Sequence, residues 1–296
     1  MTVPIHACDI VGRERDRLGE VPVWSMQDRC LWWVDVLSPA LRRYAPATGE
    51  HVSWPIPVRS LGCVALRAGG GLILGTDAGV LAFDPQSGAT SLLLQPEPDK
   101  PTHRLNDGRC DRRGRLWVGS MNERAFVPEG TLFRVDADLS VHPMLDQIKV
   151  PNSIAFSPDD RTLYFADTRA YTIWCFDFDV AEGRIANRRV FAETGAPARP
   201  DGACVDADGF LWSAHFAGAC LVRYAPDGRV DRVIDLPVRN PTSCCFGGEN
   251  LDILFVTSAS DAILTGTAPS DVCGRLISLQ VGSRGLPEPV FGARSS

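Results

Sequence analysis

No apolar run in the 296 residues approaches the roughly 18 needed to cross a bilayer; the longest, such as Leu31–Val34 and Leu251–Val256, are short, so no membrane partner is expected. There is no Cys-x-x-Cys pair, and the 5 histidines (His6, His51, His103, His142, His215) are scattered, which argues against a zinc knuckle or a redox dithiol. The chain lacks a Gly-x-Ser-x-Gly nucleophile elbow, and Ala68-Gly69-Gly70-Gly71-Leu72 lacks the Gly-Lys-Ser/Thr of a phosphate-binding loop. Basic residues are not in excess, since 30 Lys+Arg stand against 36 Asp+Glu for a net charge of −6. Arg112-Arg113 and Arg188-Arg189 therefore read as solvated loop charges, and no nucleic-acid partner is expected. Met1 to Asp9 shows neither a basic leader nor an apolar segment before a cleavage site, which points to the cytoplasm. Sustained helical periodicity is missing: Trp174, Phe176 and Phe178 repeat at two, as Val222 and Tyr224 do.

What is present is a chain with 45% hydrophobic and 22% charged residues, enough for a packed core and too apolar for disorder. Its 10 cysteines are too sparse for a disulfide framework, and Cys63, Cys110, Cys204 and Cys244 lie in apolar runs, as reduced, buried, small hydrophobes do. Six aromatic-aliphatic runs recur: 31–35, 71–75, 115–119, 162–166, 210–214 and 252–256. Their centres, at 32, 73, 117, 164, 212 and 254, are separated by 41, 44, 47, 48 and 42 residues. A second alternating segment follows each run, at 41–44, 81–84, 132–136, 173–177, 221–224 and 276–279. Turn sequences such as Pro46-Ala47-Thr48-Gly49 and Pro226-Asp227-Gly228 close most of them. A unit of about 40–45 residues built as an antiparallel meander is the blade of a β-propeller. The expectation is an all-β, six-bladed β-propeller over residues 1–296 as one domain, its termini meeting to close the ring; a two-sheet sandwich would not require this repeat. Trp32, Trp117 and Trp212 then mark core strands, not sugar-stacking positions.

In a propeller the first strand of each blade lines the central channel. Glu20, Asn106, Asn152 and Asp201 lie 11 or 12 residues before the centres of their runs; Thr242 and Ser60 take the equivalent places in the other two blades. Each of Asn106, Asn152 and Asp201 alone also reads as a turn residue, in Asn-Asp-Gly, Pro-Asn-Ser and Pro-Asp-Gly. Together they place carboxylates and amides on one axis, where like charges repel unless a cation sits between them. Glu20, set between Leu18-Gly19 and Val21-Pro22-Val23-Trp24, is a charge in apolar surroundings that needs a partner. Oxygen donors alone suit one divalent metal ion, Ca2+ first, then Mg2+ or Mn2+, with Zn2+ or Fe2+ left open. His103 and His215 read as surface or inter-blade histidines near the channel mouth.

These residues also carry a resemblance that covers nearly the whole chain. Leu18-Gly19-Glu20-Val21-Pro22-Val23-Trp24, Arg104-Leu105-Asn106-Asp107-Gly108, residues 114–121, Pro151-Asn152-Ser153-Ile154-Ala155, Pro200-Asp201-Gly202 and residues 242–248 resemble the senescence marker protein / gluconolactonase / regucalcin family of six-bladed propellers. The resemblance implies hydrolysis of a sugar (aldono) lactone such as gluconolactone or xylonolactone. It implies Glu20, Asn152 and Asp201 as metal ligands, Asp201 also as the catalytic acid/base, and Arg104 and Asn106 as substrate contacts. The family has Gly-Thr-Met where this chain has Gly119-Ser120-Met121, a change that keeps a hydroxyl, and Glu123 is the nearest match to a substrate-binding carboxylate after that motif. The expected partner is a small-molecule lactone, and the expected state a monomer or small homo-oligomer. The alternatives are a non-sugar ester or organophosphate hydrolase on the same metal site, and a non-catalytic calcium-binding regulatory propeller.

Overall fold

Each aromatic run becomes the second strand of a four-stranded antiparallel sheet. The computed structural model describes residues 8–260 and 271–293; His6 and most of the Met1 to Asp9 segment lie outside the described residues. Blade one takes β2 (Gly19–Ser25), β3 (Cys30–Asp35), β4 (Ala40–Ala45) and β5 (Glu50–Pro55). Blade two takes β6 (Leu61–Leu66), β7 (Leu72–Thr76), β8 (Gly79–Phe83) and β9 (Thr90–Leu94). Blade three takes β10 (His103–Cys110), β11 (Leu116–Asn122), β12 (Gly130–Val135) and β13 (Val141–Ile148). Blade four takes β14 (Pro151–Phe156), β15 (Thr162–Asp167), β16 (Thr172–Asp179) and β17 (Arg184–Glu193). Blade five takes β18 (Arg199–Val205), β19 (Leu211–Phe216), β20 (Cys220–Tyr224) and β21 (Val230–Asp235). Blade six takes β22 (Pro241–Gly247), β23 (Ile253–Ser258) and β24 (Leu276–Gln280), and its outer strand is β1 (Cys8–Val11) from the start of the chain.

That last pairing, Cys8↔Leu279 to Val11↔Leu276, closes the ring as the sequence repeat requires and supplies the fourth, outer strand of blade six. The inner strands β2, β6, β10, β14, β18 and β22 pack in succession around the axis, β2 meeting both β6 and β22. Apolar residues from facing sheets fill the spaces between blades, with Leu31, Leu74, Trp117 and Trp212 fully buried. Cys63, Cys110, Cys204 and Cys244 are buried free thiols of this core, whereas Cys8 and Cys220 are half-exposed. Among the described residues no helix is long and apolar enough to cross a membrane.

The buried tryptophans carry a polar anchor that the aromatic pattern alone does not reveal. Trp212 Nε1 donates to Asp206 Oδ2 at 2.9 Å, and Arg223 reaches the same oxygen through Nε at 2.9 Å and Nη2 at 2.7 Å. Blade three repeats the arrangement with Trp117 and Arg115 on Asp111, and blade one with Trp33 and Arg42 on Asp16. Each buried carboxylate thereby accepts from an indole and a guanidinium and fixes the second strand of its blade to the preceding turn or linker.

After β24 the chain crosses one end of the channel. It bonds in turn to Ala207 and Leu251, the turns of blades five and six, and then to Leu66, Ala68 and Gly114 of blades two and three. Glu288 on this crossing meets Arg109 Nη1 at 3.1 Å, both largely buried. The channel end formed by the C-termini of the inner strands is thus floored, and among the described residues no such crossing covers the end carrying their N-termini, the mouth.

Removing Asp206 leaves a buried indole N–H without its acceptor and strips Arg223 Nε and Nη2 of theirs, while Nη1 keeps Asp231. Asp206→Ala should therefore lower the unfolding free energy by roughly 3–5 kcal/mol in urea denaturation.

Candidate active site

Every inner strand breaks its pairing register near its N-terminal end. The irregularities fall between Glu20 and Val23, Leu61 and Cys63, Leu105 and Gly108, Asn152 and Ala155, Pro200 and Ala203, and Pro241 and Ser243. A bulge inserts a residue and re-aims a side chain, which is how Glu20, Asn106, Asn152 and Asp201 come to lie at the channel mouth. Val21 (φ 43°) and Ser153 (φ 54°), each directly after a proposed ligand, occupy the left-handed region that side chains with a Cβ rarely adopt. The Asn106, Asn152 and Asp201 triplets are therefore strand segments and not turns. The glycine of Pro200-Asp201-Gly202 is needed for close approach, since a Cβ there would sit 2.2 Å from Ser243 Oγ of the neighbouring inner strand.

Hydrogen bonds tie the polar residues of blades three, four and five into one chain. Arg104 Nη1 donates to Asn106 Oδ1 at 2.6 Å, and Asn106 Nδ2 donates to Pro151 O at 2.7 Å and Asn152 Oδ1 at 3.2 Å. Asn152 Nδ2 donates to Thr168 Oγ1 at 2.7 Å, whose hydroxyl donates to Pro200 O at 2.8 Å, next to Asp201. Ser153 Oγ donates to the Asp201 carbonyl. Glu123, at the end of β11, faces Arg104 Nε at 3.5 Å and Arg59 Nε at 2.8 Å, so it stands beside the residues that the sequence grouped with it.

Two of the six register positions differ from the other four. Thr242 donates to Gly19 O and lies 2.9 Å from Thr257 Oγ1, clasping blade six to blade one. Ser60 sits just ahead of β6, its hydroxyl buried and without a hydrogen-bond partner among the described residues. His103 and His215 are buried within their blades and are not surface residues. His103 Nδ1 meets Glu97 at 2.9 Å, while His215 Nε2 meets Tyr224 Oη at 3.2 Å and burial pushes its pKa down to about 4.

Burial raises the Glu20 and Asp201 carboxyls well above the usual range, and the charge of Asp107 raises both further. Asp201 also acts on Glu20, which places the two carboxylates within electrostatic reach of each other. Asp107, which the sequence reading quoted but gave no role, is pushed up to about 6 by burial, offset by its acceptance of Ile154 N–H at 2.9 Å. Glu20 accepts the Val21 N–H at 3.3 Å, and Asp201 the N–H of Gly202. Arg104 lowers both pKa values only partly, being shared with Asn106, Leu105 O and Glu123. Such a set, two buried carboxylates beside amide oxygens, is under-neutralised and fits a hard divalent cation. Among the described residues no three His, Cys, Asp or Glu side chains gather to hold a metal on their own; the fitting set needs an amide oxygen as third donor.

The model of the SMP-30/gluconolactonase/LRE-like region matches residues 18–260, from just before Glu20 to just beyond β23. The chain belongs to this family. It is similar to 6-deoxy-6-sulfogluconolactonase of Pseudomonas putida, 35% identical over 95% of this chain and 97% of the relative. It is 38% identical to L-arabinolactonase of Azospirillum brasilense, over 86% of this chain and 85% of the relative. Among solved structures, the calcium-binding protein regucalcin of Agrobacterium tumefaciens superposes with a TM-score of 0.91 at 28% identity, covering 98% of this chain and 99% of that one. Family membership accounts for the six-bladed fold and for the motifs that carry the mouth residues. It does not by itself reveal Arg59, Asp107 and Thr168, whose places come from inter-blade contacts.

A carboxyl held above its ordinary pKa binds a proton in the folded chain that the unfolded chain has released, so folding stability falls as pH rises. For Asp107 the loss begins near its unfolded value and is complete above about pH 6. In chelator-treated protein, wild type should lose about 2–3 kcal/mol more than Asp107→Asn between pH 4 and pH 8, measured by urea unfolding.

Proposed function

We propose that the protein is a lactonase that opens a sugar (aldono) lactone to the aldonic acid, acting as one propeller domain on a small-molecule substrate. One divalent cation would be held by Glu20, Asn152 and Asp201, with Ca2+ the first choice for all-oxygen donors. The relatives named as lactonases and the neighbour named as calcium-binding support this reading. The observation that carries it is that Glu20 and Asp201 stand within electrostatic reach of each other and of Arg104, which hydrogen bonds and an ion pair link to Asn106, Asn152 and Glu123 at the same end of the channel.

Ring opening of a cyclic ester needs a polarised carbonyl, an activated water and a proton for the departing ring oxygen. A cation bound there supplies the polarisation and lowers the pKa of a water. Asp201 takes the proton of the attacking water at its carboxylate and returns it to the ring oxygen as the C–O bond breaks. Its burial excludes bulk solvent from that transfer. Arg104 presents guanidinium N–H donors to sugar hydroxyls, and Glu123 and Asn106 fix its orientation. Asn106, locked by its bonds to Pro151 O and Asn152, orients the substrate against the ligand pair.

A panel of aldonolactones, assayed by pH-stat with Ca2+, Mn2+, Zn2+ or Fe2+ restored to the stripped protein, tests this reading. Turnover should require added metal, and Asp201→Asn should lower kcat by at least about 10²-fold. Tight metal binding without hydrolysis of any lactone above the spontaneous rate would instead establish a regulatory binding propeller. Preferential cleavage of diisopropyl fluorophosphate would establish the organophosphate hydrolase. A second expectation concerns Arg104→Lys, which keeps the charge and loses the fork. It should raise KM by about tenfold.

A further inference from the structure

Arg169 of blade four and Arg199 of blade five stand at the mouth end of adjacent blades. Arg59 and Arg104 face Glu123, and Arg15 faces Asp271, so those guanidinium groups are committed to carboxylates. Arg169 and Arg199 have no carboxylate within ion-pair distance among the described residues. Arg169 lies on the short 3-10 turn Thr168–Ala170, exposed, with its guanidinium carbon 4.7 Å from the centre of the Phe126 ring. Arg199 opens β18 with its guanidinium carbon 5.7 Å from the Tyr171 ring centre, while its Nε donates to Tyr171 Oη at 3.1 Å. Asp167, the carboxylate nearest in sequence to Arg169, is spent on the backbone N–H groups of Lys149, Val150 and Arg169.

Both arginines are anchored directly beside the proposed catalytic centre. Thr168, which precedes Arg169, bridges Asn152 Nδ2 and the carbonyl of Pro200, the residue between Arg199 and Asp201. Arg199 also repeats the spacing of Arg104, each lying two residues ahead of a polar bulge residue, Asp201 or Asn106. Aromatic stacking orders the two side chains before any ligand arrives while leaving N–H donors unspent. Two guanidinium groups without a carboxylate partner among the described residues, carried by the Thr168–Ala170 turn and the β18 strand that packs on it, offer donors to a tetrahedral oxyanion.

Resting on the lactonase reading, we propose that Arg169 and Arg199 form a subsite for an anionic substituent on the lactone. The substrate class is then an aldonolactone bearing a sulfonate or phosphate on its exocyclic carbon, with the ring carbonyl toward Asp201 and the oxyanion toward blades four and five. Sulfonate and phosphate share the three-oxygen face that a guanidinium fork recognises, and differ in charge.

The test compares kcat/KM for glucono-1,5-lactone, 6-phosphoglucono-1,5-lactone and 6-deoxy-6-sulfoglucono-1,5-lactone on the metal-loaded protein. Wild type should favour one anionic lactone over the neutral one by at least about tenfold, and the preferred anion identifies the group. That ratio should fall to near one in the Arg169→Gln/Arg199→Gln double variant and be partly retained in Arg199→Lys. Added NaCl should raise the wild-type KM for the anionic lactone and leave the ratio of the double variant unmoved. Arg229→Gln, in the turn between β20 and β21, controls for loss of surface charge and should keep the wild-type ratio; melting temperatures of all variants report folding. A wild type that hydrolyses the neutral lactone as well as the anionic ones, or a ratio that the double variant does not change, overturns the subsite and leaves the lactonase reading standing. Failure to open any of the three lactones overturns both.

Discussion

Two carboxylates buried in electrostatic reach of each other, Glu20 and Asp201, are the constraint around which the channel mouth is arranged. Nothing in a β-sheet requires negative charge on its innermost strand, and burial disfavours the charged form at both sites. The chain holds them there through bulges in β2 and β18, a left-handed Val21, and a glycine at 202 that lets β18 approach β22. The Arg104 guanidinium offsets only part of that charge, and amide side chains surround the remainder with donors and acceptors whose own hydrogen bonds fix their direction. In the proposed reading, a cation bound there would meet side chains already fixed by hydrogen bonds, so that little ordering cost would remain.

The rest of the propeller keeps that geometry rigid. Ring closure through β1 and β24 completes the sixth blade, and the Thr242 clasp onto Gly19 holds the blade of Glu20 against that last blade. The Asp–Trp–Arg anchors in blades one, three and five fix the second strands, from the floor end in blades three and five and from the linker before β2 in blade one. The crossing segment with its Arg109–Glu288 pair floors the opposite end of the channel. Arg59, Arg104 and Glu123 stand on one side of that mouth, and the stacked Arg169 and Arg199 on another.

Much of this was legible in the sequence because it follows from periodicity. The six aromatic runs are the six second strands, and the segments after them are the third strands from β4 to β24. The shared register of Glu20, Asn106, Asn152 and Asp201 came from counting back from those runs, and the Arg104–Glu123 contact agrees with the family motif. Other features were not legible, for reasons that are physical. Pro200-Asp201-Gly202 reads as a turn until the neighbouring strand shows why glycine is required. Thr242 fits the polar register, but its hydroxyl is drawn off by Gly19 O, 223 residues away in the chain. The burial of His103 and His215 depends on Glu97 and Tyr224, whose positions no local pattern predicts. The crossing segment after β24 has no repeat at all and is placed by bonds to four separate blades.

Diffraction from crystals soaked in Mn2+, with the anomalous signal mapped at the manganese edge, tests the central claim most directly. The account predicts one strong peak at the open end of the channel, with carboxylate oxygens of Glu20 and Asp201 and the amide oxygen of Asn152 at about 2.0–2.6 Å. A channel without a peak, or a metal bound elsewhere with these three side chains apart, would contradict it.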